Sequence, residues 1–337
     1  MRPMQVDFFF NSRRQPFLSA SCNEALATVA ELKRGGAAAQ IAFHEAEEDS
    51  DLQIKQLRER AEVLSRGDDG REHLLLVLPI TLEAVDTIAR SALLPADRRL
   101  AWAFMQQGLS AKLVEQEPDL KSRLVWSVGA DQDEMGRLQA RQLQRLFPAA
   151  PERQVDVIYM QGPIHSSATY RRSSGFRQQL ARTPHIRIQT QMLFAPWSKE
   201  SAVRALSTSG VERLLPFTRA ALAHNDEMAI GIREFCGPRG HGDLAFLGMD
   251  GLSRFGRAKV DAGELNATVV QPHCMREAIL MFAKLVMPEA MTESLRRHTR
   301  DIEPCVDVVV PPTSYPPLEE LRPLPDAAPA VRRQAAS

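Results

Sequence analysis

One short polar segment has residue types that could do chemistry. His224, Asn225, Asp226 and Glu227 follow the small apolar segment RAALA (219–223) and come directly before a helical pattern. Imidazole and carboxylate groups at close spacing are the side chains of metal ligation and of general acid–base catalysis. An amide among them is instead suited to a surface that hydrogen-bonds a ligand. These residues therefore leave three hypotheses: a metal site, an acid–base site and a ligand site without reaction.

The rest of the chain offers few partners for metal ligation or catalysis. The eight histidines show no H-E-x-x-H spacing, and the four cysteines form no C-x-x-C pair. The sequence has no G-x-S-x-G turn, no Walker loop and no G-x-G-x-x-G between a strand and a helix. Asp226 or Glu227 with Asp250 would supply two carboxylates for glycoside hydrolysis, but an acid that opens a helix more simply complements the helix dipole. We expect no enzyme activity, no metal and no cofactor.

Composition and charge indicate an ordinary globular protein. Lys and Arg together number 42, as do Asp and Glu, so we expect no nucleic-acid partner. At 337 residues the chain is long for one hydrophobic core, which favours two lobes. No apolar run approaches the roughly 18 residues of a membrane span. The amino-terminal residues lack the apolar stretch of a signal peptide, so the protein is either cytoplasmic or exported by a signal that this sequence does not include.

Strands and helices alternate along the whole chain. Apolar runs such as HLLLVLP (73–79) and QVDVIYM (154–160) have the length of strands that are covered on both faces. Segments with helical apolar spacing separate them. This alternation predicts an α/β fold with two doubly wound, Rossmann-like lobes and parallel sheets. Ligands of such sheets bind beyond the carboxyl ends of the strands, and polar residues follow strands in both lobes, which favours a ligand cleft formed by the two.

Four segments of the chain together form a recognisable pattern. They are VGADQDEMGRLQARQL (128–143), QGPIHSSATYRRSSGF (161–176), HNDEMAIGIREF (224–235) and LGMDGLSRFGRAKVDAGELNATVVQ (247–271). In this order they resemble the type I periplasmic binding proteins of the ribose- and galactose-binding group, and NSRRQPFL (11–18) resembles the first ligand loop of that group. The lactose-repressor effector domain and the autoinducer-2 receptors are related to it. The resemblance implies two α/β lobes joined by a three-strand hinge that closes on ligand.

The same resemblance divides the chain into lobes. It implies a first lobe of residues 1–128 with 273–303, and a second lobe of residues 129–272 with 304–317. Composition, rich in Pro, Ala and Arg, predicts a poorly ordered tail over 318–337.

The resemblance also implies the residues that contact the ligand. It places Phe17 and Trp197 on the two faces of a bound ring, since aromatic faces cover the apolar face of a sugar. Arg172 matches an arginine that points at ligand hydroxyls, and Asn225, Asp250 and Gln271 match an amide, a carboxylate and a hinge-edge amide. With two glutamines that follow first-lobe strands, the predicted ligand contacts are Gln15, Phe17, Gln106, Arg172, Trp197, Asn225, Asp250 and Gln271.

One departure from the family bears on the ligand. Many sugar binders have an Asp-Arg pair after the fourth strand, where this chain has Met105 and Gln106. The first lobe therefore lacks a strong hydroxyl clamp, and a common pentose with standard contacts is not expected.

These observations predict a non-catalytic, monomeric, periplasmic solute-binding protein. It would close its two lobes on a small sugar-like ligand and deliver that ligand to the permease of an ABC transporter. Two alternatives remain open: a sensor that presents its closed form to a membrane histidine kinase, and a cytoplasmic repressor-type effector-binding protein without a DNA-binding headpiece.

Overall fold

The chain folds into two compact units, each with its own sheet. The structure is a computed structural model that describes residues 2–150, 154–190 and 192–325. Unit 1 comprises Met1–Ala130 with Pro272–Pro311, and unit 2 comprises Asp131–Gln271 with the residues from Pro312 onward.

Strands and helices alternate as the apolar pattern predicts. The strands are β1 (Met4–Phe10), β2 (Ala39–Glu45), β3 (Glu72–Val77), β4 (Ala101–Met105), β5 (Val125–Ala130), β6 (Val155–Met160), β7 (Ile186–Ile188), β8 (Thr218–Ala223), β9 (Ala245–Asp250), β10 (Ala267–Val270), β11 (Asp307–Val310) and β12 (Thr313–Tyr315). The helices are α1 (Pro16–Arg34), α2 (Ser50–Ser65), α3 (Leu82–Ile88), α4 (Ala111–Gln116), α5 (Gln132–Leu146), α6 (Ser167–Leu180), α7 (Lys199–Ser209), α8 (Asp226–Cys236), α9 (Ala258–Asp261), α10 (Met275–Val286) and α11 (Glu293–His298).

Unit 1 is built on a parallel sheet. Over the described ranges it has six strands in the order β11-β5-β4-β3-β1-β2. Every residue of β1 and β4 is buried, because helices cover both faces of the sheet. One apolar cluster joins the sheet to α1 and α10, and another joins it to α2 and α3. This double cover is the physical reason for continuous apolar runs in place of alternation.

Unit 2 repeats the arrangement with a mixed edge. Its six described strands run in the order β12-β10-β9-β8-β6-β7, and all pair in parallel except β12, which is antiparallel to β10. Helices α5 and α6 pack on one face, and α7 and α8 pack on the other. Because β6, β8, β9 and β10 are neighbours, the segments after their carboxyl ends start side by side.

The carboxy-terminal strand differs from the sequence expectation. The resemblance placed residues 304–317 in the second lobe, but β11 pairs in parallel with β5 in unit 1. Only β12, after Pro311, joins the sheet of unit 2. The prediction that this strand, β11, belongs to the second lobe is therefore wrong. A short apolar run such as VDVVV fits an edge of either sheet, so its pattern does not specify the partner.

The prediction of a poorly ordered tail over 318–337 is wrong for residues 318–325. Leu321 is buried and Leu318 and Leu324 pack against the apolar core of unit 2. The Leu324 amide donates a hydrogen bond to the Leu146 carbonyl at 2.9 Å. Residues 318–325 are thus part of unit 2, and residues 326–337 lie outside the described residues.

Candidate ligand site

Arg172 is the centre of a polar cluster in unit 2. It lies on α6 and is 3% exposed. Its Nε donates to Gln132 Oε1 at 2.7 Å, while Nη1 donates to the His224 carbonyl and Nη2 donates to Gln271 Oε1. Three neutral oxygens from separate elements therefore hold the guanidinium in one orientation, and they satisfy a cation that burial would otherwise disfavour.

Asp250 stands next to this guanidinium with its acceptors largely unused. Its side chain is 14% exposed, and Oδ1 lies 4.0 Å from Arg172 Nη1. Within the described ranges no hydrogen bond reaches this carboxylate. Burial raises the pKa of Asp250 to about 7, although Arg172 acts in the opposite direction. A φ of 95° also places Asp250 in the left-handed region, where non-glycine residues are uncommon and cluster at functional sites.

Trp197 covers the same cluster. The Arg172 Cζ lies 5.5 Å from the centroid of the Trp197 ring, within the range of a cation–π contact. The ring packs so closely on Gly162 that a Cβ there would lie 2.2 Å from Cη2. The half-buried ring thus shares the Arg172 guanidinium with Asp250 and Gln271. The structure thus brings together four predicted contact residues of unit 2: Arg172, Trp197, Asp250 and Gln271.

Asn225 is close to these residues, but its side chain has structural partners. Its Oδ1 accepts from the Met228 amide at 2.9 Å, which caps α8, and its Nδ2 donates to the Trp197 carbonyl at 2.9 Å. The amide therefore connects the first turn of α8 to the tryptophan loop. Its predicted role as a ligand contact remains a prediction.

A smaller cluster lies in unit 1. The ring of Phe17, in the first turn of α1, has its centroid 4.6 Å from that of His273. Gln106 follows β4 with a φ of 63°. Its Oε1 accepts from the Ala130 amide at 3.0 Å, and its Nε2 donates to the carbonyls of Pro272 and His273 at 3.3 and 3.4 Å. Both ends of the Gln106 amide are therefore engaged by backbone of the same unit.

Gln15 is less involved than expected. It is the N-cap residue of α1, but its side chain makes no capping hydrogen bond. It is partly exposed, and among the described residues its side chain has no hydrogen-bond partner. Over the described ranges, no hydrogen bond therefore joins the Gln15 side chain to Phe17, Gln106 or His273, and its role as a ligand contact stays a prediction.

Comparison with known proteins identifies the family. Residues 104–284, which are more than half of the chain, match the family described as "Periplasmic binding protein domain". The chain belongs to this family. A curated relative, the xylitol-binding protein of Mycolicibacterium smegmatis, is 26% identical over 116 residues, which are 34% of this chain and about a third, 32%, of that protein.

Solved structures show that this periplasmic binding protein has the fold expected of its family. The Caulobacter myo-inositol binding protein bound to myo-inositol is 22% identical, with a TM-score of 0.69 and 92% coverage of both chains. An ABC transporter periplasmic solute binding protein of Actinobacillus succinogenes 130z with bound D-allose is 19% identical, with a TM-score of 0.69 and coverage of 92% of this chain and 96% of that one. The predicted two-lobe α/β fold and the resemblance to type I periplasmic binding proteins are confirmed.

Two residues of this periplasmic binding protein have structural roles that differ from the sequence interpretation. Asp226 lies in the first turn of α8, where the sequence predicts an acid that complements the helix dipole. Its side chain is instead buried, and its oxygens accept from the Thr268 hydroxyl at 2.6 Å and the Gly251 amide at 2.8 Å. Burial, and then the nearby Asp250, raise the pKa of Asp226. Asp226 therefore supports the turn at Gly251, directly after Asp250 at the end of β9. Its long-range partners left no signal in the local sequence.

His224 is a buried histidine with both ring nitrogens occupied. Its Nδ1 accepts from the Gly162 amide at 3.1 Å, so Nε2 carries the hydrogen toward Tyr159 Oη at 2.6 Å. Burial lowers the pKa of His224 far below its ordinary value, which keeps the ring neutral. The residue supports the site through its carbonyl, which accepts from Arg172.

Metal-binding groups and membrane-spanning helices are both absent from residues 2–150, 154–190 and 192–325. In these ranges no three His, Cys, Asp or Glu side chains form a group able to hold a metal ion. Nor do these ranges contain a helix with the length and apolarity needed to cross a bilayer.

Proposed function

We propose that this periplasmic binding protein is a non-catalytic solute-binding protein for a small, neutral, polyhydroxylated ligand. The observation that carries the proposal is the Asp250 carboxylate, which is mostly buried and has no hydrogen bond from the described residues. Such a group is costly unless a partner satisfies it. Ligand hydroxyls donate to a carboxylate, and the Trp197 ring, which shares the Arg172 guanidinium with Asp250, is an aromatic surface suited to the apolar face of a polyol or sugar ring.

The same geometry supports binding without reaction. Glycoside hydrolysis needs two available carboxylates about 5–10 Å apart. Two other carboxylates act on Asp250, those of Asp226 and Glu227. Both oxygens of Asp226 already have partners in Thr268 and Gly251, and Glu227 accepts a hydrogen bond from the Lys199 backbone. One available carboxylate and one fixed guanidinium can orient hydroxyl groups, but they do not form an acid–base pair.

The chemistry of relatives agrees with this ligand class. One is named a xylitol-binding protein, and two solved structures of this fold contain myo-inositol and D-allose. We further propose that the protein acts as a monomer outside the cytoplasm, that both units contribute to binding by closing on the ligand, and that it delivers the ligand to an ABC transporter. A ligand that contacts both units would favour a closed state by its differential affinity.

A thermal-shift screen with xylitol, myo-inositol and D-allose tests the ligand class. A probe at about 100 times its Kd adds about 2.7 kcal/mol of stability, so a true ligand raises the midpoint. Trp197→Ala and Asp250→Ala should remove most of this shift. Phe217→Ala is the matched control, because Phe217 is an aromatic residue that is 67% exposed and precedes the amino end of β8, opposite the carboxyl ends. Equal shifts for all three variants would refute the site.

A further inference from the structure

One face of α1 is turned toward the start of α10 in unit 1. Phe17, Ser21 and Glu24 are spaced to lie on the same side of α1. Glu24 Oε2 accepts hydrogen bonds from the amides of Met275 and Arg276 at 2.8 and 3.2 Å, and so caps α10 from another helix. Phe17 and Ser21 on the same face contact His273, which precedes α10.

The contacts of Ser21 assign the hydrogen of His273 to one ring nitrogen. Its hydroxyl donates to the Phe17 carbonyl at 2.9 Å and also lies 3.1 Å from His273 Nδ1. A carbonyl only accepts, and a hydroxyl has one hydrogen; with that hydrogen on the shorter contact, to the Phe17 carbonyl, the serine oxygen accepts from Nδ1–H. In a neutral imidazole the other nitrogen, Nε2, is then an acceptor.

The imidazole is neutral and held in place. Burial lowers the pKa of His273 to about 4, which leaves the ring uncharged near pH 7. The backbone at Pro272 and His273 is fastened by the Gln106 amide. The ring is only partly buried, and among the described residues no hydrogen bond reaches its Nε2.

We propose that His273 is a specificity-determining ligand residue, whose Nε2 beside the Phe17 ring accepts a hydrogen bond from a ligand hydroxyl. This inference rests on the proposed function and adds a selective acceptor to unit 1. It also gives a reason for the departure at position 106: Gln106 stands where related sugar binders have a charged residue, and here it positions a neutral acceptor. Ligands that carry a hydroxyl at the edge of the face stacked on Phe17 should be preferred over analogues that lack it.

Two variants separate the acceptor from the ring. His273→Phe keeps an aromatic ring against Phe17 but removes the acceptor, whereas His273→Gln keeps an acceptor and loses the ring. Calorimetric titration with whichever of xylitol, myo-inositol and D-allose binds the unmodified protein should show a three- to tenfold loss of affinity for His273→Phe, the range of one neutral hydrogen bond. His273→Gln should recover part of that loss. Unchanged thermal midpoints without ligand would show that both variants fold.

Nuclear magnetic resonance of the protein labelled with ¹⁵N-histidine gives a second readout. Long-range ¹H–¹⁵N spectra distinguish the two neutral tautomers, and the His273→Gln variant assigns the signal. We expect the hydrogen on Nδ1 without ligand, and a shift of the Nε2 resonance when the probe binds. Two results would overturn the role of His273 and leave the proposed function intact. One is a hydrogen on Nε2 in the ligand-free protein. The other is an Nε2 resonance that does not move when the probe binds, together with an unchanged affinity of His273→Phe for the probe. If none of the three probes binds the unmodified protein, the proposed ligand class fails, and the role of His273 falls with it.

Discussion

Replacing Asp250 with asparagine should stabilise the ligand-free protein at neutral pH. The pKa of Asp250 is about 7 in the folded chain, against an ordinary value of 3.8, so ionisation of this group opposes folding. At 1.36 kcal/mol per pH unit, the difference between these two pKa values corresponds to about 4 kcal/mol in the free energy of unfolding. Asparagine has nearly the same shape, bears no charge and tolerates the left-handed backbone at this position. Arg172 keeps its three neutral hydrogen-bond acceptors in the variant.

The sign of the pH dependence follows from linkage. A carboxyl group whose folded pKa is raised contributes its stability fully below the unfolded pKa, and that contribution is lost as pH rises through the folded pKa. The free energy of unfolding of Asp250→Asn should therefore exceed that of the unmodified protein by almost nothing at pH 4. The difference should grow between pH 4 and about 7 and stay constant above that. Binding should change in the opposite direction, because the variant lacks the charged acceptor for ligand hydroxyls.

Urea unfolding of the ligand-free protein at pH 5, 6, 7 and 8 measures this effect. Free energies of unfolding of the unmodified protein and of Asp250→Asn are compared at each pH. Asp243→Asn is the control, since Asp243 is an exposed carboxylate just before β9, and its replacement should stay within about 0.5 kcal/mol. A destabilised Asp250→Asn at pH 8, or a difference that is the same at pH 5 and pH 8, would refute the reasoning.

Two further predictions concern the elements that support the site. Gly136→Ala on α5 would bring a Cβ to 2.0 Å from the Arg172 carbonyl and so force α5 and α6 apart. We expect this variant to have a free energy of unfolding lower by about 1–3 kcal/mol. It should also bind more weakly any probe that the unmodified protein binds. Gly67→Ala, where nothing lies within 4 Å, is its control in the same urea titration, and equal stability of the two variants would contradict the close helix contact. Asn225→Ala removes the α8 cap and the bond to the Trp197 carbonyl, so it should lower the thermal midpoint by the equivalent of about 1 kcal/mol, and an unchanged midpoint would argue against the capping role.

The fold and part of the site followed from the local pattern of the sequence. Apolar runs of strand length between amphipathic helices predict layered parallel sheets, because both sheet faces must be covered. Polar residues after neighbouring parallel strands must start at one edge of the sheet. For this reason the structure brings Asp250 and Gln271 close to Arg172, while their contact with a ligand stays a prediction.

Only the tertiary structure decided which polar groups are already used. Gln106 and Asn225 carry amides suited to a ligand, yet their partners are backbone groups of Ala130 and Trp197. His273 is an unremarkable histidine in the sequence, and its tautomer depends on a serine 252 positions away. Likewise, β11 and β12 are short runs that either sheet could accept. Residue type and spacing determine what a side chain is able to bond, but its actual partner comes from distant segments, and only the folded chain brings them within hydrogen-bond distance.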